Sequence, residues 1–91
     1  MEMNRLIERL HAEGCSCVIR KGTEIRLFHR RGVIDLFELY ENEADFMHGA
    51  QLADKVIGKG VAALVALGGM TEVYADLISN PALHVLHREG I

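Results

Sequence analysis

Residues 53–69, ADKVIGKGVAALVALGG, form a long and nearly apolar stretch that carries charged residues only at its front. Its apolar residues recur on one broad face at helical spacing, which predicts a helix over residues 50–67 that ends at a pair of glycines. Gly58 and Gly60 then lie inside the helix, where each costs about 0.5–1 kcal/mol relative to alanine. Because violations of local rules concentrate at functional sites, the front of this segment is the first place to look for one.

Three charged side chains stand at that front: Asp54, Lys55 and Lys59. On a helix, Lys55 and Lys59 are four residues apart and share a face, with Asp54 beside them. Two lysines held together can bind a phosphate or a carboxylate, helped by the helix N-terminus, and an aspartate there can orient a lysine or act as a base. The alternative is an exposed, charged end of a core helix, because structural ion pairs imitate sites.

The rest of the chain predicts shorter elements around this helix. They are a helix from an N-cap at Asn4 to Gly14, a β-hairpin of residues 15–20 and 24–29, a turn at 30–32, a third strand at 72–79, and a last helix from an N-cap at Asn80 to Arg88. Residues 34–40 fit either a short helix or an irregular apolar segment, and residues 41–45 an acidic loop. The order α-β-β-α-β-α, with the long helix crossing to the third strand, predicts an α/β fold with a mixed sheet and a right-handed crossover.

Length, composition and net charge favour a single globular domain and argue against a nucleic-acid-binding or membrane-spanning protein. The 91 residues, 49% of them hydrophobic, predict one domain over residues 1–91. A net charge of −3 argues against a nucleic-acid partner, and the absence of a run of about 18 apolar residues argues against a membrane span. Cys15 and Cys17 are too close for a stable disulfide loop or a metal knuckle, which favours a reduced, cytoplasmic protein. A small sheet with an exposed edge suggests a homo-oligomer or a longer natural protein.

Two histidine motifs imitate metal sites. His11, Ala12 and Glu13 spell the His-Ala-Glu tripeptide of zinc deaminases, but they lie at the end of the first helix, and no cysteines follow Pro81. His84 and His87 are three residues apart on the last helix, without an acidic or cysteine ligand at a recognisable spacing. The sequence therefore predicts no metal and no cofactor.

With its segments laid out, the chain resembles a small family of uncharacterised prokaryotic proteins, a domain of unknown function with a cytidine deaminase-like fold. The resemblance is strongest in residues 53–59, ADKVIGK, and extends to Cys17-Val-Ile, Gly32-Val-Ile, Leu67-Gly-Gly, Val73-Tyr-Ala and Ile78-Ser79. It implies a three-layer α/β/α sandwich in which the long helix takes the place of the helix that carries His-Ala-Glu in deaminases. Neither zinc-binding segment is retained, so the resemblance does not imply zinc-dependent deamination.

The resemblance also implies a pocket where the N-termini of two central helices meet the sheet, with Asp54, Lys55, Lys59, Cys17 and Ser79 near one another. The favoured function is binding of a small anionic ligand, such as a nucleotide, by Asp54, Lys55, Lys59 and Ser79. One alternative is an enzyme that uses Cys17 as a nucleophile activated by a neighbouring lysine on a nucleotide-like substrate. Another is a structural or oligomerisation module whose Gly/Ala helix packs against a partner subunit.

Overall fold

The computed structural model describes residues 3–30 and 33–91, which form an α/β fold with one mixed sheet. Its elements in chain order are α1 (Met3–Ala12), β1 (Cys17–Lys21), β2 (Glu24–Phe28), α2 (Ile34–Asn42), α3 (Ala44–Met47), β3 (Gln51–Ile57), α4 (Lys59–Gly68), β4 (Glu72–Ile78) and α5 (Asn80–Arg88). Among these residues, no helix is both long enough and apolar enough to cross a membrane.

The four strands are arranged in the order β2-β1-β3-β4. Strand β1 pairs antiparallel with both β2 and β3, whereas β3 pairs parallel with β4. The predicted hairpin is confirmed as β1 and β2, and its turn contains Gly22 at φ +61°, a left-handed conformation that glycine adopts without strain. Two of the three residues of the predicted turn at 30–32 lie outside the described residues.

The prediction of one helix over residues 50–67 is wrong. Its first half is strand β3, and only Lys59–Gly68 is helical. The first four residues of β3, Gln51 to Asp54, are all buried because the strand lies in the middle of the sheet. A strand covered on both faces shows no apolar–polar alternation, so its pattern cannot be distinguished from that of a buried helix by periodicity alone. Gly58 lies at the junction of the two elements and not inside a helix.

This change adds strand β3 to the predicted order α-β-β-α-β-α, and the described residues also contain two further helices, α2 and α3. The parallel pairing that the sequence predicted does occur, but it joins β3 to β4 through α4. Residues 34–42 form a helix, and α3 occupies part of the predicted acidic loop because Phe46 and Met47 pack into the core. The predicted end of the long helix is confirmed, since Gly69 at φ +74° terminates α4.

Hydrophobic clusters lie on both faces of the sheet. Helix α1 packs Leu6 and Leu10 against Val18 and Ala53. The neighbouring residues on β1 and β3 point the other way, into a larger cluster formed with α2, α3, α4 and α5. Strand β3 is therefore enclosed over most of its length, and its carboxyl end emerges between β1, β4 and the start of α4.

The cap of α5 differs by one residue from the prediction. Ser79, not Asn80, is the N-cap, and its Oγ accepts a hydrogen bond from the Ala82 N–H at 3.2 Å. We expect Ser79→Ala to lower the free energy of unfolding by about 1 kcal/mol, because it leaves an amide of the first turn without its partner. Asn80→Ala, the matched variant, removes no capping bond. Urea denaturation checks this, and an equal or larger loss in Asn80→Ala would contradict the assignment.

Candidate functional site

A cavity of about 560 Å³ opens where β3 ends and α4 begins. The loop before β1 and the residue that precedes α2 complete its wall. The residues that line it are Ser16, Val33, Asp54, Lys55, Val56, Gly58, Gly60 and Val61. Its volume is within the range of about 300–1,000 Å³ that is typical of small-molecule sites, and apolar walls with a few polar groups are typical of such sites too.

The position of the cavity has a structural reason. In open α/β sheets, ligands bind outside the carboxyl ends of the strands, where a strand leads into the next helix. Here the connection between β3 and α4 is Gly58 alone, which has an extended backbone and offers no side chain to cap the helix. The first amides of α4 have no intrahelical partner by geometry and carry a partial positive charge. The start of α4 therefore adds N–H donors to the rim of the cavity.

Asp54 is the buried acid of the cavity wall, with an exposed fraction of 7%. It lies in the centre of the sheet, paired with Cys17 of β1 on one side and Ala75 of β4 on the other. Its Oδ1 accepts a hydrogen bond from the Val56 N–H at 3.2 Å. Burial raises the pKa of Asp54 to about 6, while the neighbouring amides lower it in part and the charge of Asp76 raises it further.

Lys55 lines the cavity, and its charge also acts on Asp76, which belongs to a polar cluster on the α1 side of the sheet. In that cluster Asp76 accepts hydrogen bonds from the Tyr74 hydroxyl at 2.6 Å and from His11 Nε2 at 2.9 Å. These two bonds lower the pKa of Asp76, and the charges of His11 and Lys55 lower it further. The backbone N–H of Lys55 donates to the Ser16 carbonyl at 3.2 Å, which fixes the strand against the loop that forms the opposite wall.

The comparisons with known proteins establish the family. Residues 5–91 match the sequence model described as the TM1506 domain of unknown function, DUF1893. The chain belongs to the DUF1893 family. Its fold is similar to the crystal structure of a DUF1893 family protein, TM1506 from Thermotoga maritima, with a TM-score of 0.84 and 22% sequence identity. That match covers 97% of this chain but only 59% of the Thermotoga chain, so this domain spans well under two thirds of that protein. No curated protein matches the sequence.

The DUF1893 fold brings together some of the predicted site residues and separates others. Asp54 and Lys55 both line the cavity, and Cys17 is the strand partner of Asp54. Lys59 is exposed on the first turn of α4 and is not part of the described wall, while Ser79 caps α5. The predicted helical face shared by Lys55 and Lys59 is wrong, because Lys55 belongs to a strand and Lys59 to the helix that follows it.

Sequence reasoning missed the residues that form the far wall of the cavity. Ser16 precedes β1, and its hydroxyl bonds the carbonyl oxygens of Phe28 and Arg30 at 2.9 and 2.8 Å. Val33 precedes α2 and lies close to Gly60, so that a Cβ built on Gly60 would be 3.8 Å from Val33 Cγ2. Ser16 belongs to no motif that the sequence analysis used, and Val33 appears there only within Gly32-Val-Ile of the family resemblance. A correct assignment of Gly58 as the turn between a strand and a helix would have placed the cavity, although not this wall.

The described residues contain no group of three or more His, Cys, Asp or Glu side chains that could hold a metal ion. Cys17, the predicted nucleophile, has an exposed fraction of 4%. Burial raises the pKa of its thiol well above the usual range, and the charges of Asp54 and Asp35 raise it further. Activation of Cys17 by a lysine would need surroundings that lower the pKa of the thiol, because the thiolate is the reactive form.

We expect Cys17 to resist alkylation by iodoacetamide in the folded protein at neutral pH. The thiol is enclosed and protonated, so labelling should require unfolding. A Cys15→Ser variant leaves Cys17 as the single reporter, and mass spectrometry of the labelled protein with and without urea measures the difference. Rapid labelling of this variant without urea, at the rate of an exposed thiol, would restore Cys17 as a nucleophile.

Proposed function

We propose that this DUF1893 domain binds a small organic molecule that carries an anionic group, such as a nucleotide, in the cavity at the carboxyl end of β3. The observation that carries the proposal is a buried acid, Asp54, in the wall of a 560 Å³ cavity. A strongly perturbed titratable group in a cleft is a recognised mark of a functional site. Among the described residues, backbone amides but no ion pair offset the cost of burying this carboxyl group in the sheet.

The lining suggests how such a ligand would lie. Val33, Val56 and Val61 offer apolar surface to a flat ring. An anionic group of the same ligand would lie toward the start of α4, near Lys55, where the amides of the first turn and the ammonium group favour negative charge. Lys59, exposed on that turn, would add long-range attraction without lining the wall.

The proposal also includes the type of sandwich, the cytoplasmic location and the homo-oligomeric state. Helices on both faces of the sheet support a three-layer α/β/α sandwich of the cytidine deaminase-like type, without its zinc chemistry. Two free, buried cysteines are in keeping with a cytoplasmic protein. Strands β2 and β4 have unpaired edges within the described sheet, which supports a homo-oligomer.

The two alternative functions receive less support from the geometry. Cys17 has a raised pKa and little access to a substrate. The Gly/Ala helix, α4, already buries most of its apolar residues inside its own domain and leaves mainly Leu67 exposed, at 66%. It therefore has little apolar surface left for a partner subunit.

Thermal unfolding in the presence of nucleotides and sugar phosphates tests the proposal. A ligand that binds only the folded state stabilises it by about 2.7 kcal/mol at 100 times its dissociation constant, so we expect a saturable rise in melting temperature. Lys55→Ala should reduce that rise, whereas Arg88→Ala, which removes an exposed charge near the end of α5, should not. Unchanged melting curves across the whole panel would contradict the proposed function.

A further inference from the structure

The carboxyl group of Asp54 keeps one oxygen available to the cavity. Within residues 3–30 and 33–91, the Val56 N–H donates to its Oδ1, while the Lys55 N–H, which also helps to lower the pKa of Asp54, donates to the Ser16 carbonyl. No side-chain nitrogen or oxygen of this part of the chain is both sealed from solvent and without a hydrogen bond. Since Oδ2 has no such bond among these residues, it must retain accessible surface, and the cavity is the open space that Asp54 lines.

The surroundings do not neutralise this carboxyl group. Among the described residues, no lysine, arginine or histidine nitrogen forms an ion pair with it within 4 Å. The titratable groups around it are Cys17 on β1, Asp76 on β4 and Lys55 next along β3, with Asp35 of α2 beyond Cys17. Asp35 is itself bound by Arg30 Nε at 2.7 Å.

Neither hydroxyl nor thiol in the neighbourhood supplies the missing donor. The Ser16 hydroxyl bonds the backbone carbonyls of Phe28, the last residue of β2, and of Arg30, and it has no hydrogen bond to the carboxyl group. The thiol of Cys17 packs into the core cluster. An ionised carboxylate is an acceptor only, with sites for about four hydrogen bonds, so the Val56 N–H does not use up its acceptor capacity.

We propose that Asp54 determines the specificity of this cavity by accepting hydrogen bonds from paired N–H groups of the ligand, such as those of a guanine ring or a guanidinium group. The inference rests on the proposed function and names the ligand chemistry that the site selects. Such a pair would place one N–H on Oδ2 and the other on the second acceptor site of Oδ1, beside the Val56 N–H. Charge-assisted hydrogen bonds of this kind are about twice as strong as neutral ones. A phosphate or carboxylate placed against Asp54 would instead meet a like charge in a place of low dielectric constant.

The pH dependence of binding follows from the same geometry. Ligand N–H groups bind the ionised carboxylate, so their affinity should fall as the pH drops below the raised pKa of Asp54, about 6. An anionic group packed against Asp54 would need the protonated carboxyl, and its affinity should rise over the same range. Because a nucleotide phosphate also titrates at about pH 6, the part of the change that Asp54→Asn removes identifies which end of the ligand meets Asp54.

Isothermal titration of the wild-type domain with four probes tests the inference at about pH 7.5 and about pH 5. GMP presents two adjacent N–H donors, IMP one and AMP none in that position, and agmatine presents a guanidinium group without a phosphate. We expect GMP to bind about 10-fold or more tighter than AMP, with IMP between them, since a bidentate pair is worth about 1–3 kcal/mol. A preference for agmatine over GMP would assign the guanidinium group as the source of the donors.

Asp54→Asn is the matched variant, because it keeps the shape of the side chain and removes the charge. It should abolish both the preference for GMP over AMP and the loss of affinity at the lower pH. Equal binding of GMP, IMP and AMP, or tighter binding at the lower pH, would overturn the role of Asp54 and leave binding in the cavity intact. Failure of every probe to bind would overturn the inference, and the wider thermal panel then decides separately on the proposed function.

Discussion

Asp54→Asn is expected to make the folded protein more stable at neutral and higher pH. The side chain is 7% exposed, and burial raises its pKa from about 3.8 to about 6. The folded state therefore binds a proton more readily than the unfolded state. Its contribution to stability is complete below the unfolded pKa and is lost as the pH rises through about 6. A shift of this size corresponds to on the order of 3 kcal/mol at neutral pH, which the uncharged asparagine should recover.

Urea denaturation at several pH values between about 4 and 8 measures this effect. Ionisation of Asp54 should lower the wild-type free energy of unfolding as the pH rises through about 6. The variant should not show this decrease. Asp45→Asn, at an exposed position of α3, is the control for the loss of one negative charge. A variant that is less stable than the wild type at about pH 8 would show that the Asp54 charge stabilises the fold, which is the opposite of the expected effect.

Two glycine substitutions in α4 are expected to change stability in opposite directions. A Cβ built on Gly68 would lie 2.6 Å from Met47 Cε and 3.2 Å from Met47 Cβ, and Met47 is fully buried. Gly68→Ala must therefore shift the buried Met47 side chain, which should cost about 1–3 kcal/mol. A Cβ on Gly60 would be in ordinary contact with Val33, and Gly60→Ala should stabilise the helix by up to about 1 kcal/mol.

Gly60 also lines the cavity, so the added methyl group should weaken ligand binding while the domain becomes more stable. The two effects together distinguish a steric block from unfolding. Thermal melts of both variants with and without ligand provide the measurement. If Gly60→Ala destabilised the domain as much as Gly68→Ala does, the space between Gly60 and Val33 would be too small for a methyl group, contrary to the expected packing.

The parts of the fold that can be predicted from the sequence are those with unambiguous local signals. The hairpin alternates apolar and polar residues around Gly22, and the last helix begins at a Ser-Asn-Pro sequence. Strand β3 cannot be predicted in the same way. Leu52, Ala53, Val56 and Ile57 fit a helical stripe as well as a strand in the middle of a sheet, and only pairing with β1 and β4, distant along the chain, decides between them.

Two of the residues that the sequence singles out line the cavity, but the reason for singling them out is partly incorrect. Asp54 and Lys55 stand out as charges at the front of an apolar segment, and both line the cavity. They do so because β3 ends there, and the fold does not place Lys55 and Lys59 on one helical face. Ser16 and Val33 arrive from other elements through tertiary packing, which no local pattern records. Cys17 is likewise buried because β1 pairs with β3 and the helices cover that face of the sheet.

The central claim is that the cavity between β3 and α4 is a ligand site built around Asp54. Titration of the ¹⁵N-labelled domain with a nucleotide and fragment panel, followed by amide chemical shifts, tests it most directly. Binding should perturb the amides of Ser16, Lys55, Val56, Gly58 and Gly60 in a saturable manner, and Gly60→Ala should reduce those changes. Saturable changes confined to another surface, or none with any compound, would contradict the claim.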